Sequence, residues 1–141
     1  MMKYVVLVSH GEMAAGLKNA LTMLAGDRPE VIFHGLRDGV DADTFASELS
    51  EKLNVINQDD EIILLGDLVG GSPLTSAMNV ISQKEMLDNT VVIGGMNLPL
   101  ALTTVLMKDA FDKETLVSQI LSEAQAGLKP VSIITDEEDE I

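Results

Sequence analysis

The chain has no cysteine and no tryptophan among its 141 residues, and only one tyrosine and three phenylalanines. Without thiols there are no disulfides, no thiolate zinc site and no cysteine nucleophile, a usage that suits a reducing cytoplasm. Scarce aromatics leave few platforms on which a flavin or a base could stack. Basic residues are also short, 9 Lys and Arg against 23 Asp and Glu, for a net charge of −14. Polyphosphate surfaces are bound by cations that neutralise phosphates, so nucleic acid and anionic membrane are disfavoured as partners. The N-terminal run Met1 to Val8 carries one charge and stops at polar residues. It is too short for a signal peptide or a spanning helix, so no direct membrane insertion is expected. No composition break divides the chain, and a domain of this size buries roughly two thirds of its unfolded surface. The expectation is one domain over residues 1–135 and a solvated, disordered acidic tail over 136–141.

What is present is a regular alternation of apolar runs and amphipathic stretches. Tyr4–Val8 is a continuous apolar, β-branched run, the mark of a strand covered on both faces. Met13, Leu17, Ala20, Leu21 and Leu24 then recur at helical spacing, and Gly26 is placed to close the helix. Val31-Ile32-Phe33 predicts a second strand and Gly35 to Asp41 a turn. A helix follows, capped by Asp41 or Asp43, with Phe45, Leu49, Leu53 and Ile56 inside. Ile62–Leu65 is the most apolar run and predicts a central strand. After it come Gly66-Asp67-Leu68-Val69-Gly70-Gly71-Ser72-Pro73, where Ser72 as N-cap and Pro73 at the first helical position start a helix that buries Leu74, Ala77, Met78 and Ile81. Val91–Ile93 is a fourth strand, and the Gly94–Pro99 turn leads into a helix from Leu100 to Met107. Asp112 caps a last helix with Leu116, Val117, Ile120, Leu121 and Ala124 apolar, ending near Gly127. Val131 to Ile134 reads as a final strand. Four βα units in succession predict an α/β fold, a doubly wound, mostly parallel open sheet flanked by helices.

In such sheets ligands collect at the carboxyl edge, where the strand order reverses. The turns after strands one, three and four bring His10, the Asp67–Ser72 loop and Gly94–Asn97 to that edge. A carboxylate on one imidazole nitrogen selects the tautomer and leaves the other free to attack. Asp67 is the candidate orienting partner of His10. The N–H groups of Gly70, Gly71 and Ser72 at a helix start form a candidate anion cradle, with the Ser72 hydroxyl as a further donor, and the ligand that suits it is a phosphoryl group. Such a site takes phosphate onto His10 and hands it on, with in-line geometry and charge stabilisation supplying most of the catalysis. It calls for no cofactor and no metal; the two histidines are far apart and no ligand spacing occurs.

Blander readings compete for each of these residues. A histidine at a turn is structural or merely exposed in about half of cases, and Ser-Pro at a helix start is ordinarily a cap. His34 reads as structural or surface. Glu12 reads as a first-turn carboxylate favoured by the helix dipole. The methionines are mostly core filling, with Met13 and Met96 placed to face a partner.

Val8-Ser9-His10-Gly11, Asp67-Leu68-Val69-Gly70-Gly71-Ser72-Pro73 and Gly95-Met96-Asn97-Leu98-Pro99, in this order over nearly the whole chain, resemble the enzyme IIA domain of the mannose/fructose/sorbose family of the bacterial phosphoenolpyruvate-dependent sugar phosphotransferase system. The resemblance implies that His10 is phosphorylated by the phosphorylated histidine phosphocarrier protein and passes the group to a IIB partner, which phosphorylates the sugar during uptake through IIC and IID membrane components. It also implies that Asp67 bonds the non-attacking ring nitrogen, that Ser72 lies beside the phosphoryl group, and that the protein is a cytoplasmic homodimer exchanging an antiparallel C-terminal strand, matched here by Val131 to Ile134. Leu68-Val69 stands where relatives can have an aromatic. No linker or fused IIB domain follows, which implies a separate IIB chain. The acidic charge would steer it toward a phosphocarrier with a basic rim.

Three other protein classes share parts of this pattern. The phosphotransfer subunit of a dihydroxyacetone kinase has a similar domain, but Gly70-Gly71-Ser72-Pro73 fits the sugar family better. His10-Gly11-Glu12 resembles the R-H-G-E start of histidine phosphatases, yet Ser9 replaces the arginine that clamps phosphate. A flavodoxin-like binding module is disfavoured by the missing aromatics. The sequence also lacks the G-x-S-x-G elbow of hydrolases and the lysine of a P-loop.

Overall fold

In a computed structural model, residues 1–133 are described. Four strands, β1 (Lys3–His10), β2 (Val31–Leu36), β3 (Glu61–Gly66) and β4 (Thr90–Ile93), alternate with helices α1 (Met13–Ala25), α2 (Ala42–Lys52), α3 (Ser72–Gln83) and α4 (Leu98–Met107), and α5 (Lys113–Ala126) follows. All described strand pairs are parallel, in the order β2-β1-β3-β4. The order reverses between β1 and β3, so the switch point lies where His10 and Asp67 emerge.

The continuous apolar strands are explained by two cores. Val5, Leu7, Ile63 and Leu65 face α1, α4 and α5, where Leu17, Leu21, Leu100, Val105, Leu116 and Ile120 meet them. Val6, Val8, Ile62 and Leu64 face α2 and α3, against Phe45, Leu49, Leu74, Ala77 and Ile81. Each buried Val, Leu, Ile or Phe among them contributes about 1.5–3 kcal/mol by leaving water, and a polar residue on either face would forfeit that. Strand alternation then sends Ser9 toward α1 and His10 toward the α2–α3 layer.

Of three helix caps, Asp41, one of two candidates for α2, and Asp112 stand where the sequence placed them, and Asn97 was not expected as one. The carboxylate of Asp41 accepts the Thr44 N–H, the Asn97 amide oxygen the Leu100 N–H, and the Asp112 carboxylate the Thr115 N–H. Asn97 therefore starts α4 at Leu98, two residues before the expected Leu100. Other details differ from the sequence reading. Met13 and Leu24 are exposed, and Ala14 takes the inner face with Leu17 and Leu21. Met78 is likewise exposed and Val80 buried in its place. Ile56 lies beyond α2, after a short 3-10 turn, Leu53–Val55. In each case helical spacing allows a stripe two residues wide, and the neighbouring layer selects which edge of it is covered.

Among the described residues the C-terminal segment forms no strand within the single chain. Val131, Ser132 and Ile133, expected in a final strand, lie in no strand, and Val131 and Ile133 are 74% and 96% exposed. A strand needs a partner edge, and none of the four described strands pairs with residues 131–133. Ile134, Thr135 and the acidic tail over 136–141 lie outside the described residues.

Candidate active site

β1 ends at His10 and turns at Gly11, whose φ of +56° is a left-handed conformation that favours glycine. The Gly11 N–H donates to the Leu36 carbonyl at 2.8 Å, and the Ser9 hydroxyl, fully buried, accepts the Ala14 N–H at 2.8 Å. Ser9 thus caps α1 from outside, while Glu12, the residue just before the helix, makes no capping bond. The turn that carries His10 is therefore tied both to β2 and to the helix that follows.

The register pairs Val8 with Gly66, so Asp67 leaves the sheet level with Ser9 and reaches forward by one residue. Its Oδ2 accepts both the backbone N–H of His10 and the ring Nδ1–H, each at 2.8 Å, and its Oδ1 accepts the Leu68 N–H at 2.9 Å. The Asp67 side chain is 8% exposed and that of His10 48%. Burial alone would push the Asp67 carboxyl up, but the His10 backbone N–H, the imidazole and the Leu68 N–H outweigh it and hold the pKa below its ordinary value. An ionised Asp67 accepting at Nδ1 makes Nδ1 the protonated nitrogen and leaves Nε2 with the free lone pair.

The loop after β3 lies against this ring. A Cβ built on Gly71 would stand 3.2 Å from His10 Cε1 and 3.2 Å from the Leu68 carbonyl oxygen, so a side chain there would press the ring or the loop back slightly. The loop is braced from behind, where the Met96 N–H donates to the Gly66 carbonyl at 2.9 Å and Val69 packs on Gly94. Two parts of the expected cradle are revised. Gly71, not Ser72, is the N-cap of α3, which makes Ser72 its first residue and sets Pro73 within the first turn. The Gly71 N–H is also committed, to the Leu68 carbonyl at 3.2 Å. Among the described residues the N–H groups of Gly70 and Ser72 meet no acceptor. They and the positive end of α3, worth about half a unit charge, are the donors open to an anion there. Met96 is 3% exposed and so is core, whereas Met13 is 45% exposed.

His34 does not join the site. It is 5% exposed on β2, its ring tilted against Phe45 with centroids 4.9 Å apart. Glu48 Oε1 stands 3.2 Å from its Nε2, yet out of line, so that nitrogen has no hydrogen bond. Burial, and then the Lys52 charge, push its pKa down despite Glu48. A neutral, packed imidazole is a structural residue.

Gly35 carries a constraint that sequence reasoning assigned to a turn. It lies within β2, paired with Ser9, and a Cβ there would overlap the carbonyl oxygen of Gly11. Because that obstacle is backbone, Gly35→Ala must displace the His10 turn. The expected result is a loss of about 1–3 kcal/mol in urea unfolding together with slower chemistry at His10. Wild-type stability in this variant would show that the turn yields freely.

Comparison with known proteins gives a consistent picture. The family model described as PTS system fructose IIA component matches residues 4–137. The mannose-specific EIIAB component of the PTS of Escherichia coli K12 is 27% identical over 128 residues, 89% of this chain. This chain spans 38% of that relative's length. The fructose-specific EIIA component of Bacillus subtilis is 23% identical over 91% of this chain and 86% of its own. Among solved structures, the mannose/sorbose specific IIA subunit of the phosphotransferase system from Enterococcus faecalis has the same fold, with a TM-score of 0.80, 19% identity, and coverage of 96% of this chain and 98% of that one.

Proposed function

This chain belongs to the PTS fructose IIA component family, and from that premise we propose that it is a phosphoryl carrier of a sugar phosphotransferase system, with His10 as the residue that holds the group. The observation that carries this reading is the 2.8 Å contact between His10 Nδ1 and Asp67 Oδ2, behind a ring whose other nitrogen is left to solvent and to the start of α3.

The transfer follows from that geometry. The Nε2 lone pair attacks phosphorus in line as the bond from phosphorus to a donor nitrogen breaks, and the donor ring takes back its electron pair. No proton moves, because Nδ1 keeps its hydrogen. The product ring carries a positive charge beside Asp67, which is ionised already, so the carboxylate needs no reorganisation to stabilise it. The Gly70 and Ser72 N–H groups and the Ser72 hydroxyl bond the phosphoryl oxygens, taking up charge that develops in the transition state. The reverse steps hand the group on.

The donor in this reading is the phosphorylated histidine phosphocarrier protein. The acceptor is a IIB component working with IIC and IID membrane components. A cytoplasmic location belongs to the same proposed carrier role. No helix among the described residues is long and apolar enough to cross a membrane. We also propose a homodimer in which Val131–Ile134 pairs with the partner's sheet. Exposed Leu128, Val131 and Ile133 support it, as does β4, whose outer edge has no strand among the described residues.

The test is incubation of the wild-type chain with phosphoenolpyruvate, enzyme I and the phosphocarrier. Intact mass should rise by one phosphoryl group that is lost in acid, and fragmentation should place it on His10. No mass change would end the carrier reading. With 23 acidic and 9 basic residues, the rate of transfer should fall as salt rises, because screening removes electrostatic steering. A flat salt response would count against a basic-rimmed donor.

A further inference from the structure

We propose that Arg37 is a phosphoryl-binding residue, one that leaves Glu48 to meet the group on His10; this rests on the reading of His10 as the phosphorylated residue. Leu36, the last residue of β2, is the registered partner of His10. Both face the α2–α3 layer, and Arg37 follows at once. Its guanidinium is drawn into that same layer by Glu48 of α2, with Nη2 donating to the two carboxylate oxygens at 2.9 and 3.2 Å. Nη1 and Nε make no hydrogen bond among the described residues, and the side chain is 56% exposed.

A cleft of about 280 Å³ runs from this arginine to the imidazole. It is lined by His10, Gly11, Leu36, Arg37, Asp38 and Val40, with Gly39 between the last two. Arg37 is the one cation in its wall. Lys52 lies near Arg37 along β2 but is engaged there, its Nζ donating to the Phe33 carbonyl at 2.7 Å, and Lys84 and Lys108 stand at the C-terminal ends of α3 and α4, which point to the other edge of the sheet. A phosphoryl group on Nε2 would arrive in a chain of charge −14, beside an ionised Asp67. One helix end supplies only about half a compensating charge. A guanidinium matches phosphoryl oxygens with parallel N–H donors and holds its proton at any physiological pH. Its present bond is an exposed ion pair, a weak contact by nature, so release costs little.

Glu48 in this arrangement parks the arginine. That separates the proposal from a structural role, because the two residues should then have opposite effects. Phosphoramidate, a small donor that needs no partner protein, serves as the probe, with uptake onto His10 followed by intact mass. Arg37→Ala should slow uptake about tenfold or more, with Arg37→Lys between it and wild type. Glu48→Gln, which frees the guanidinium, should speed uptake about two- to fivefold. Thermal unfolding of each variant checks the fold. An Arg37→Ala rate equal to wild type overturns the proposal. So do Arg37→Ala and Glu48→Gln rates lowered alike, the signature of a pair that only braces the loop. Should Arg37→Ala fail to fold, Glu48→Gln decides alone, and uptake at or below wild type overturns it. A wild-type chain that takes no phosphate on His10 removes the parent reading and this one with it. Normal wild-type uptake with the wrong variant pattern removes only this one.

Discussion

His10→Ala should fold as the wild type does and accept no acid-labile phosphate from phosphoenolpyruvate, enzyme I and the phosphocarrier. The two halves of this expectation have separate causes. The imidazole is 48% exposed and adds little to the core, so unfolding should move by no more than about 0.5 kcal/mol beyond the loss of one ring hydrogen bond, itself about 1 kcal/mol. Asp67 keeps most of its partners in the variant, because the backbone N–H of residue 10 and that of Leu68 still donate to it. The turn also survives, since Ser9 still takes the Ala14 N–H and Gly11 still bonds Leu36. What disappears is the nitrogen lone pair. The other imidazole, His34, is buried against Phe45 and cannot substitute. Intact mass with thermal unfolding on the same sample checks both halves. A phosphate that persists in His10→Ala would place the chemistry elsewhere in the chain.

The second large effect is expected from Asp67→Ala, which should slow phosphoryl transfer about 10²–10³-fold with the fold retained. Three N–H groups lose their acceptor at once, two from His10 and one from Leu68. The ring is then free to rotate and to place its proton on Nε2, the nitrogen that must attack. The phosphorylated ring also loses its counter-ion. Transfer from the phosphorylated phosphocarrier, followed by quenched flow, measures the deficit, and an unchanged rate would remove Asp67 from the mechanism.

The same residue makes a prediction about acid stability. The folded pKa of Asp67 lies below its ordinary value through these hydrogen bonds, against the upward pull of burial. Its contribution is therefore fully present above the unfolded carboxyl value, about 3.9, and is lost as pH falls through the folded value. Asp67→Ala is less stable near neutrality, and the gap to wild type should narrow in urea unfolding as pH is taken from about 5 toward 2. Parallel curves would mean that the carboxylate is not the ionised acceptor.

Much of the architecture could be read from the chain itself. Tyr4–Val8 and Ile62–Leu65 are apolar without interruption because they are covered on both faces, a local statement of a global fact. Asp41 and Asp112 announce helix starts because a short polar side chain satisfies a free N–H within three residues, and Asn97, read as part of a turn, does the same for α4. Other features were illegible for an equally definite reason. Gly35 resembles a turn residue, and only the approach of the Gly11 carbonyl shows that it is a strand residue without room for a side chain. Met13 and Leu24 fit the helical stripe as well as Ala14 does, and the choice is made by what lies across from them. Ser9 gives no sequence signal of its capping role, since its bond to Ala14 skips the usual spacing.

The candidate site divides along the same line. That His10 stands at a strand end, that Asp67 ends another strand and that glycines precede the Ser72 helix follow from residue order, because strand ends and helix starts are encoded within a few residues of where they occur. The order β2-β1-β3-β4, the one-residue offset that aims Asp67 at Nδ1, the closeness of Gly71 to the ring and the cleft shared by His10 and Arg37 depend on residues distant in sequence, His10 and Asp67 among them 57 positions apart. Those arrangements are decided by how two cores pack on one sheet, and no local pattern contains them.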